Sequence, residues 1–200
     1  MASDQSSSHR TKPRLCGMLS GGGRTVLNLL DHIERGELHA QIALVISSSE
    51  SALGVQRCRD RGLIVEVMAG VIPADTLGAA LHRSGIDGVV LAGYLKLLRI
   101  PPAYRGRIVN IHPALLPKFG GKGMHGDFVH QAVIAAGETQ TGCTVHLVDD
   151  AYDTGKVLLQ RRCAVLKTDD VPTLAARVFD LECAAYPEAV KGWLAGLDQR

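Results

Sequence analysis

A chain of 200 residues has the length of one ordinary globular domain and can bury a core that needs no disulfide or metal staple. Hydrophobic residues at 46% exclude a disordered chain, and 22 basic against 20 acidic residues, net charge +2, leave no electrostatic footprint for nucleic acid or a membrane surface. Aromatics at 4% are too few for a base-stacking platform, and no apolar run reaches the ~18 residues of a membrane span. The five cysteines, Cys16, Cys58, Cys143, Cys163 and Cys183, are odd in number and show no Cys-x-x-Cys spacing, as in a reduced, cytoplasmic protein. Met1 to Lys12 is polar and lacks the apolar core of a secretory signal. A flexible tail is expected over residues 1–13, followed by one domain over 14–200.

In chain order, Leu15 to Leu19 is a short apolar run that ends in Ser20-Gly21-Gly22-Gly23. From Thr25 the pattern turns helical, with Val26, Leu29, Leu30 and Ile33 on one face and Gly36 as a stop. Ile42 to Ile46 reads as a second strand, Val55 to Arg61 as a helix ending at Gly62, and Leu63 to Val67 as a third strand. Asp75 is placed to cap a helix running to Ser84, and Val89 to Leu91 is a fourth strand followed by Ala92-Gly93. Strands separated by helices at this spacing imply right-handed βαβ units and a parallel, helix-covered sheet.

After Pro101-Pro102 the rhythm changes. Ile108 to Asn110 is a strand, Pro113 to Gly126 a long loop bearing Gly and Pro, and Val129 to Ala136 a helix. Thr144 to Val148 and Val157 to Val165 read as strands joined by the acidic turn Asp149 to Gly155, which makes the sheet mixed. A C-terminal helix is expected from about Pro172 to Trp193. The fold class expected is α/β, with a Rossmann-like parallel N-terminal half.

Two features carry chemistry. Ser20 to Thr25 sits between the first strand and the first helix, where glycines let backbone N–H groups approach an anion and the helix N-terminus adds partial positive charge. Gly-Lys-Ser/Thr is absent, and Gly-x-Gly-x-x-Gly is incomplete because Val26 follows Thr25, so a monophosphate fits better than a nucleotide. A tight turn needing positive φ is the alternative reading. The second feature is Asn110 and His112, at i and i+2 on one strand and so on one face. With Asp153 in the acidic turn they supply donors for a carbonyl oxygen and a carboxylate for proton movement, the parts of acyl transfer to an amine. Each also has a structural explanation taken singly. His112, His125, His130 and His146 have no compact His-x-x-x-His spacing and no neighbouring Cys, so no metal is expected. His130 and His146 are either partners of the site or plain buried histidines.

The string Asn110-Ile111-His112-Pro113-Ala114-Leu115-Leu116-Pro117-Lys118 resembles the signature of the folate-dependent formyltransferases. The resemblance runs from Leu15 to about Trp193 with the motifs in order: Ser20 to Gly23, Leu91-Ala92-Gly93-Tyr94, Asn110-x-His112, Gly142-Cys143-Thr144-Val145-His146 and Asp153-Thr154-Gly155. It implies a seven-stranded mixed sheet flanked by helices. It also implies formyl transfer from 10-formyltetrahydrofolate, as co-substrate, to the amine of glycinamide ribonucleotide in purine biosynthesis, by a monomer or weak homodimer. Carried onto this chain, it implies catalysis by Asn110, His112 and Asp153. Gly23, Arg24 and Thr25 would hold the substrate phosphate and Glu182 the ribose hydroxyls. Leu95, Lys96, Leu97, Leu98, Asn110, Asp149, Asp150 and Asp153 would line the folate pocket.

The sequence departs from the family pattern in four places. Thr154-Gly155-Lys156 replaces the usual Gly-Gly-Pro, and Phe179 stands where some relatives have a substrate-contacting Gln. The segment from Ala69 to Leu81 is short and carries no counterpart of a folate-binding Arg. The loop from Phe119 to Phe128 is long and glycine-rich, as in a lid over the folate or a surface insertion. Rival expectations are a methionyl-tRNA formyltransferase-like enzyme, a formyltetrahydrofolate deformylase and a non-catalytic phosphometabolite-binding domain. The tRNA enzyme would need a further C-terminal domain and a basic surface, and the deformylase a further N-terminal domain.

Overall fold

The computed structural model describes residues 12–197, so residues 1–11 of the expected tail lie outside the described residues. Seven strands form one mixed sheet in the order β3-β2-β1-β4-β5-β6-β7. The strands are β1 (Arg14–Leu19), β2 (Gln41–Ser47), β3 (Val65–Val67), β4 (Gly88–Leu91), β5 (Ile108–His112), β6 (Gln140–Leu147) and β7 (Val157–Ala164). The first five run parallel, and β6 and β7 are antiparallel to their neighbours. The helices are α1 (Arg24–Glu34), α2 (Leu53–Asp60), α3 (Ala74–Arg83), α4 (Asp127–Ala135) and α5 (Val171–Leu197), with a 3₁₀ turn at Pro102–Tyr104. The mixed seven-stranded sheet is the one expected.

The central strands β1 and β4 are almost wholly buried, as parallel strands covered on both faces must be. One cluster under α1 and α5 holds Leu15, Leu29, Val90, Val109, Tyr186 and Val190. A second, on the opposite face of the same strands, holds Cys16, Met18, Leu44, Leu77, Leu81 and Ile108. Each fully buried large side chain contributes roughly 1.5–3 kcal/mol.

Two expectations need correction. Asp75 is not the cap of α3; Pro73 holds that position, and the Asp75 carboxylate accepts from Thr76 N in the first turn. An acidic group there still complements the helix dipole. Strand β6 begins at Gln140 and ends at Leu147, rather than running from Thr144 to Val148. Gly142 lies within the ladder because a Cβ there would sit 1.8 Å from Arg161 O of β7, so the close approach requires glycine.

Helix α5 contains Pro187, which cannot donate to the carbonyl of Cys183 one turn back. Asn28 Nδ2 of α1 donates to that freed carbonyl at 2.9 Å. The phenol of Tyr186, fully buried, lies 2.8 Å from Leu91 O and 3.2 Å from Val109 O. These bonds fix α5 against α1, against the end of β4 and against β5 at the residue before Asn110.

Candidate active site

The strand order reverses between β1 and β4, so the connections leaving their C-terminal ends diverge and open a crevice there. A cleft of about 610 Å³ occupies this position, within the range of small-molecule sites. The glycine turn after β1 and the first residues of α1 form part of its wall. Gly21, Gly22, Gly23, Arg24 and Thr25 all line it. Gly23 is required twice over: its φ is +74°, and a Cβ would lie 2.8 Å from Gly54 Cα. Arg57 Nη1 ties the turn down by donating to Gly22 O at 2.9 Å.

Leu95, Lys96, Leu97 and Leu98 form another wall after β4, and Ser20 Oγ accepts from Leu95 N at 2.9 Å, joining the two loops. Glu182 lines the cleft from α5 beside Phe179. Burial pushes the Glu182 carboxyl up to about 7, opposed by the charge of Arg24. The Arg24 guanidinium lies 4.0 Å over the Phe179 ring.

Asn110, His112 and Asp153 meet in the same cleft. Asn110 and His112 end β5, and Asn110 pairs with His146 across to β6. Asp153 comes from the β6–β7 turn with φ +58°, a region that Asp tolerates better than most residues. Gly155 is what lets this turn close, because a Cβ would fall 1.7 Å from Leu147 O. The Asp153 carboxylate accepts from Gly121 N at 2.9 Å and lies 3.6 Å from His112 Nδ1. Asn110 Nδ2 is 3.1 Å from His146 Nε2 and 3.4 Å from Asp153 Oδ1.

Protonation follows from the partners. His146 Nδ1 donates to Leu147 O at 2.8 Å, which leaves its Nε2 to accept from Asn110. In that tautomer the 3.5 Å approach of His146 Nε2 to Asp153 is a contact and not a hydrogen bond. His112 Nε2 donates to Phe119 O at 2.7 Å, so Nδ1 is the nitrogen that faces Asp153. Burial lowers His112 from its ordinary value and outweighs the opposing pull of Asp153. Burial would raise Asp153, but the neighbouring His112 and the Gly121 N–H act against it, and its carboxyl stays below the usual range. The result is a neutral imidazole whose open nitrogen faces a carboxylate anion.

Asp150 is not among the lining residues; its carboxylate is drawn outward to Arg105 at 3.0 and 3.2 Å. Asp149 lines the cleft, but its carboxylate is occupied within the turn by Ala151 N and Thr154 Oγ1. His146 and His130 both line the cleft, and His130 Nδ1 has no hydrogen-bond partner among the described residues. Gly121 N–H and Phe119 C=O, which anchor Asp153 and His112, are backbone groups that no residue pattern announces. Among the described residues, no three His, Cys, Asp or Glu side chains gather as metal ligands would, and no helix is long and apolar enough to cross a membrane.

A family profile described as formyl transferase matches residues 14–190. The chain is 38% identical over 189 residues to the chloroplastic phosphoribosylglycinamide formyltransferase of Vigna unguiculata, covering 90% of this chain and 60% of that protein's length. It is 30% identical over 191 residues to the phosphoribosylglycinamide formyltransferase of Haemophilus influenzae, covering 92% and 88%. Among solved structures, glycinamide ribonucleotide transformylase 1 from Symbiobacterium toebii superposes with a TM-score of 0.85 at 33% identity, over 94% of this chain and 90% of that one.

Proposed function

Because the chain belongs to the formyl transferase family, we propose that it transfers a formyl group from 10-formyltetrahydrofolate to the amine of glycinamide ribonucleotide, a step of purine biosynthesis. The observation that carries this reading is the meeting of Asn110, His112 and Asp153 in a cleft that also holds the glycine turn and N-terminus of α1. An acyl acceptor bearing a phosphate needs both features in one place.

The proposed chemistry uses groups already poised. Glycines 21–23, Arg24 and Thr25 take the acceptor phosphate, and Glu182 takes ribose hydroxyls. Leu95 to Leu98 and the Asp149–Gly155 turn receive the folate ring system. As the amine nitrogen bonds to the formyl carbon, the formyl oxygen gains negative charge. The Asn110 amide hydrogen that reaches Asp153 across a long 3.4 Å is free to turn toward that oxygen. His112 Nδ1 accepts the amine proton, and the Asp153 carboxylate beside it offsets the imidazolium charge. Collapse breaks the bond from formyl carbon to folate nitrogen, and the proton moves to that leaving nitrogen. Holding two substrates in line supplies much of the rate.

The test is spectrophotometric consumption of 10-formyltetrahydrofolate with and without glycinamide ribonucleotide. Consumption that requires the acceptor supports the proposal. Equal consumption without it indicates hydrolysis of the formyl-folate, and no consumption in either case indicates a binding domain.

A further inference from the structure

The first turn of α1 is held by an aromatic residue from the far end of the sequence. Arg24 directly follows the positive-φ Gly23 and lines the cleft. Seven other arginines, including Arg61, Arg161 and Arg177, form ion pairs with carboxylates, whereas Arg24 has none among the described residues. Its guanidinium instead lies 4.0 Å over the Phe179 ring, inside the ~6 Å reach of a cation–π contact. One turn further along both helices, Asn28 Nδ2 binds the Cys183 carbonyl released by Pro187, so this register of α1 on α5 is fixed by a hydrogen bond. Glu182, whose carboxyl feels the Arg24 charge, lies one turn along α5, and its burial disfavours the charged form that would neutralise Arg24.

We infer that Phe179 is a positioning residue for the phosphorylated acceptor: its ring holds the Arg24 guanidinium toward the cleft as a cation left unneutralised for a phosphomonoester dianion. A carboxylate at position 179 would orient Arg24 equally well but cancel its charge. An aliphatic side chain would pack but not attract it. The aromatic face orients the cation and leaves its N–H donors free, and the N-terminus of α1 adds its own partial charge at the same point. Only the identity of the acceptor rests on the proposed formyl transfer.

The test compares Phe179→Leu, which removes the ring, with Phe179→Tyr, which keeps it, each alone and with Arg24→Ala. Steady-state kinetics give KM for glycinamide ribonucleotide, KM for the formyl donor and kcat; calorimetric titration with inorganic phosphate gives a readout independent of turnover. Phe179→Leu is expected to raise the acceptor KM and the phosphate Kd by roughly 3- to 30-fold, the range of a cation–π contact. The donor KM and kcat should stay within about twofold, and Phe179→Tyr should match the wild type. With Arg24→Ala in place, the Leu and Phe forms should become equivalent. The inference is overturned if Leu and Tyr weaken phosphate binding alike, if neither does, or if the Leu effect persists without Arg24. Phosphate binding that follows the expected pattern in a protein that does not formylate glycinamide ribonucleotide would refute the proposed reaction and leave the role of Phe179 standing.

Discussion

Glu182 stands in the cleft wall, where burial pushes its carboxyl up to about 7 from 4.5 and the Arg24 charge opposes the shift without cancelling it. Between pH 4.5 and 7 the folded chain holds this proton more tightly than the unfolded chain does. Stability therefore falls as pH rises through that window, and the loss is complete above 7. At about 1.4 kcal/mol per pH unit, the full loss is roughly 3 kcal/mol at pH 8. The side chain keeps some exposure to the open cleft, and solvent screening trims the loss to about 1.5–3 kcal/mol. Glu182→Gln preserves the shape and removes the titration. Urea unfolding of both proteins should differ by under about 1 kcal/mol at pH 5 and by about 1.5–3 kcal/mol at pH 8, with the variant more stable. For a chain of this size that is a rise of about 3–12 °C in Tm at pH 8. If Glu182 holds the ribose as proposed, the acceptor KM should rise at the same time. Equal unfolding free energies at pH 8, or a less stable variant, would refute this account of the buried carboxyl.

Other expected outcomes follow from the same geometry. Asn110→Ala, His112→Ala and Asp153→Ala should each lower kcat by about 10²–10³-fold, with double variants losing less than the product of the singles; a variant with wild-type turnover would remove that residue from the mechanism. By NMR titration the His112 imidazole should titrate below 6.5, and lower still in Asp153→Asn, because the carboxylate that favours the imidazolium is gone. A value unchanged or raised in that variant would contradict the pairing of the two groups. Gly155→Ala forces a Cβ against Leu147 O, and should cost about 1–3 kcal/mol of stability and displace the turn that carries Asp153. Turnover in the folded fraction should fall at least tenfold; wild-type unfolding and turnover would show that the turn tolerates the side chain.

Much of the fold and of the candidate site was legible in the residues. Buried parallel strands read as continuous apolar runs, and the helix of α1 announces itself through Val26, Leu29 and Leu30. Asn110 and His112 share a strand face by simple alternation, and the glycine turn stands where a phosphate site belongs. Less legible were features set by partners distant in sequence. Asp149, Asp150 and Asp153 are alike as a run of acids, and only the path of the turn sends Asp150 out to Arg105 and Asp153 in toward His112. The anchors at Gly121 N–H and Phe119 C=O belong to the backbone and carry no residue identity. The stacking of Arg24 on Phe179 joins residues at opposite ends of the chain, and no local periodicity encodes it.

The central claim is that one cleft joins a phosphate cradle to an Asn–His–Asp centre for the transfer of a formyl group between two bound molecules. The most direct test follows the label of 10-[¹⁴C]formyltetrahydrofolate incubated with the protein and glycinamide ribonucleotide. The account predicts label on the acceptor amine in equal amount to the donor consumed, and none transferred by Asp153→Ala. Label recovered as free formate, or acceptor left unlabelled while donor disappears, would contradict it.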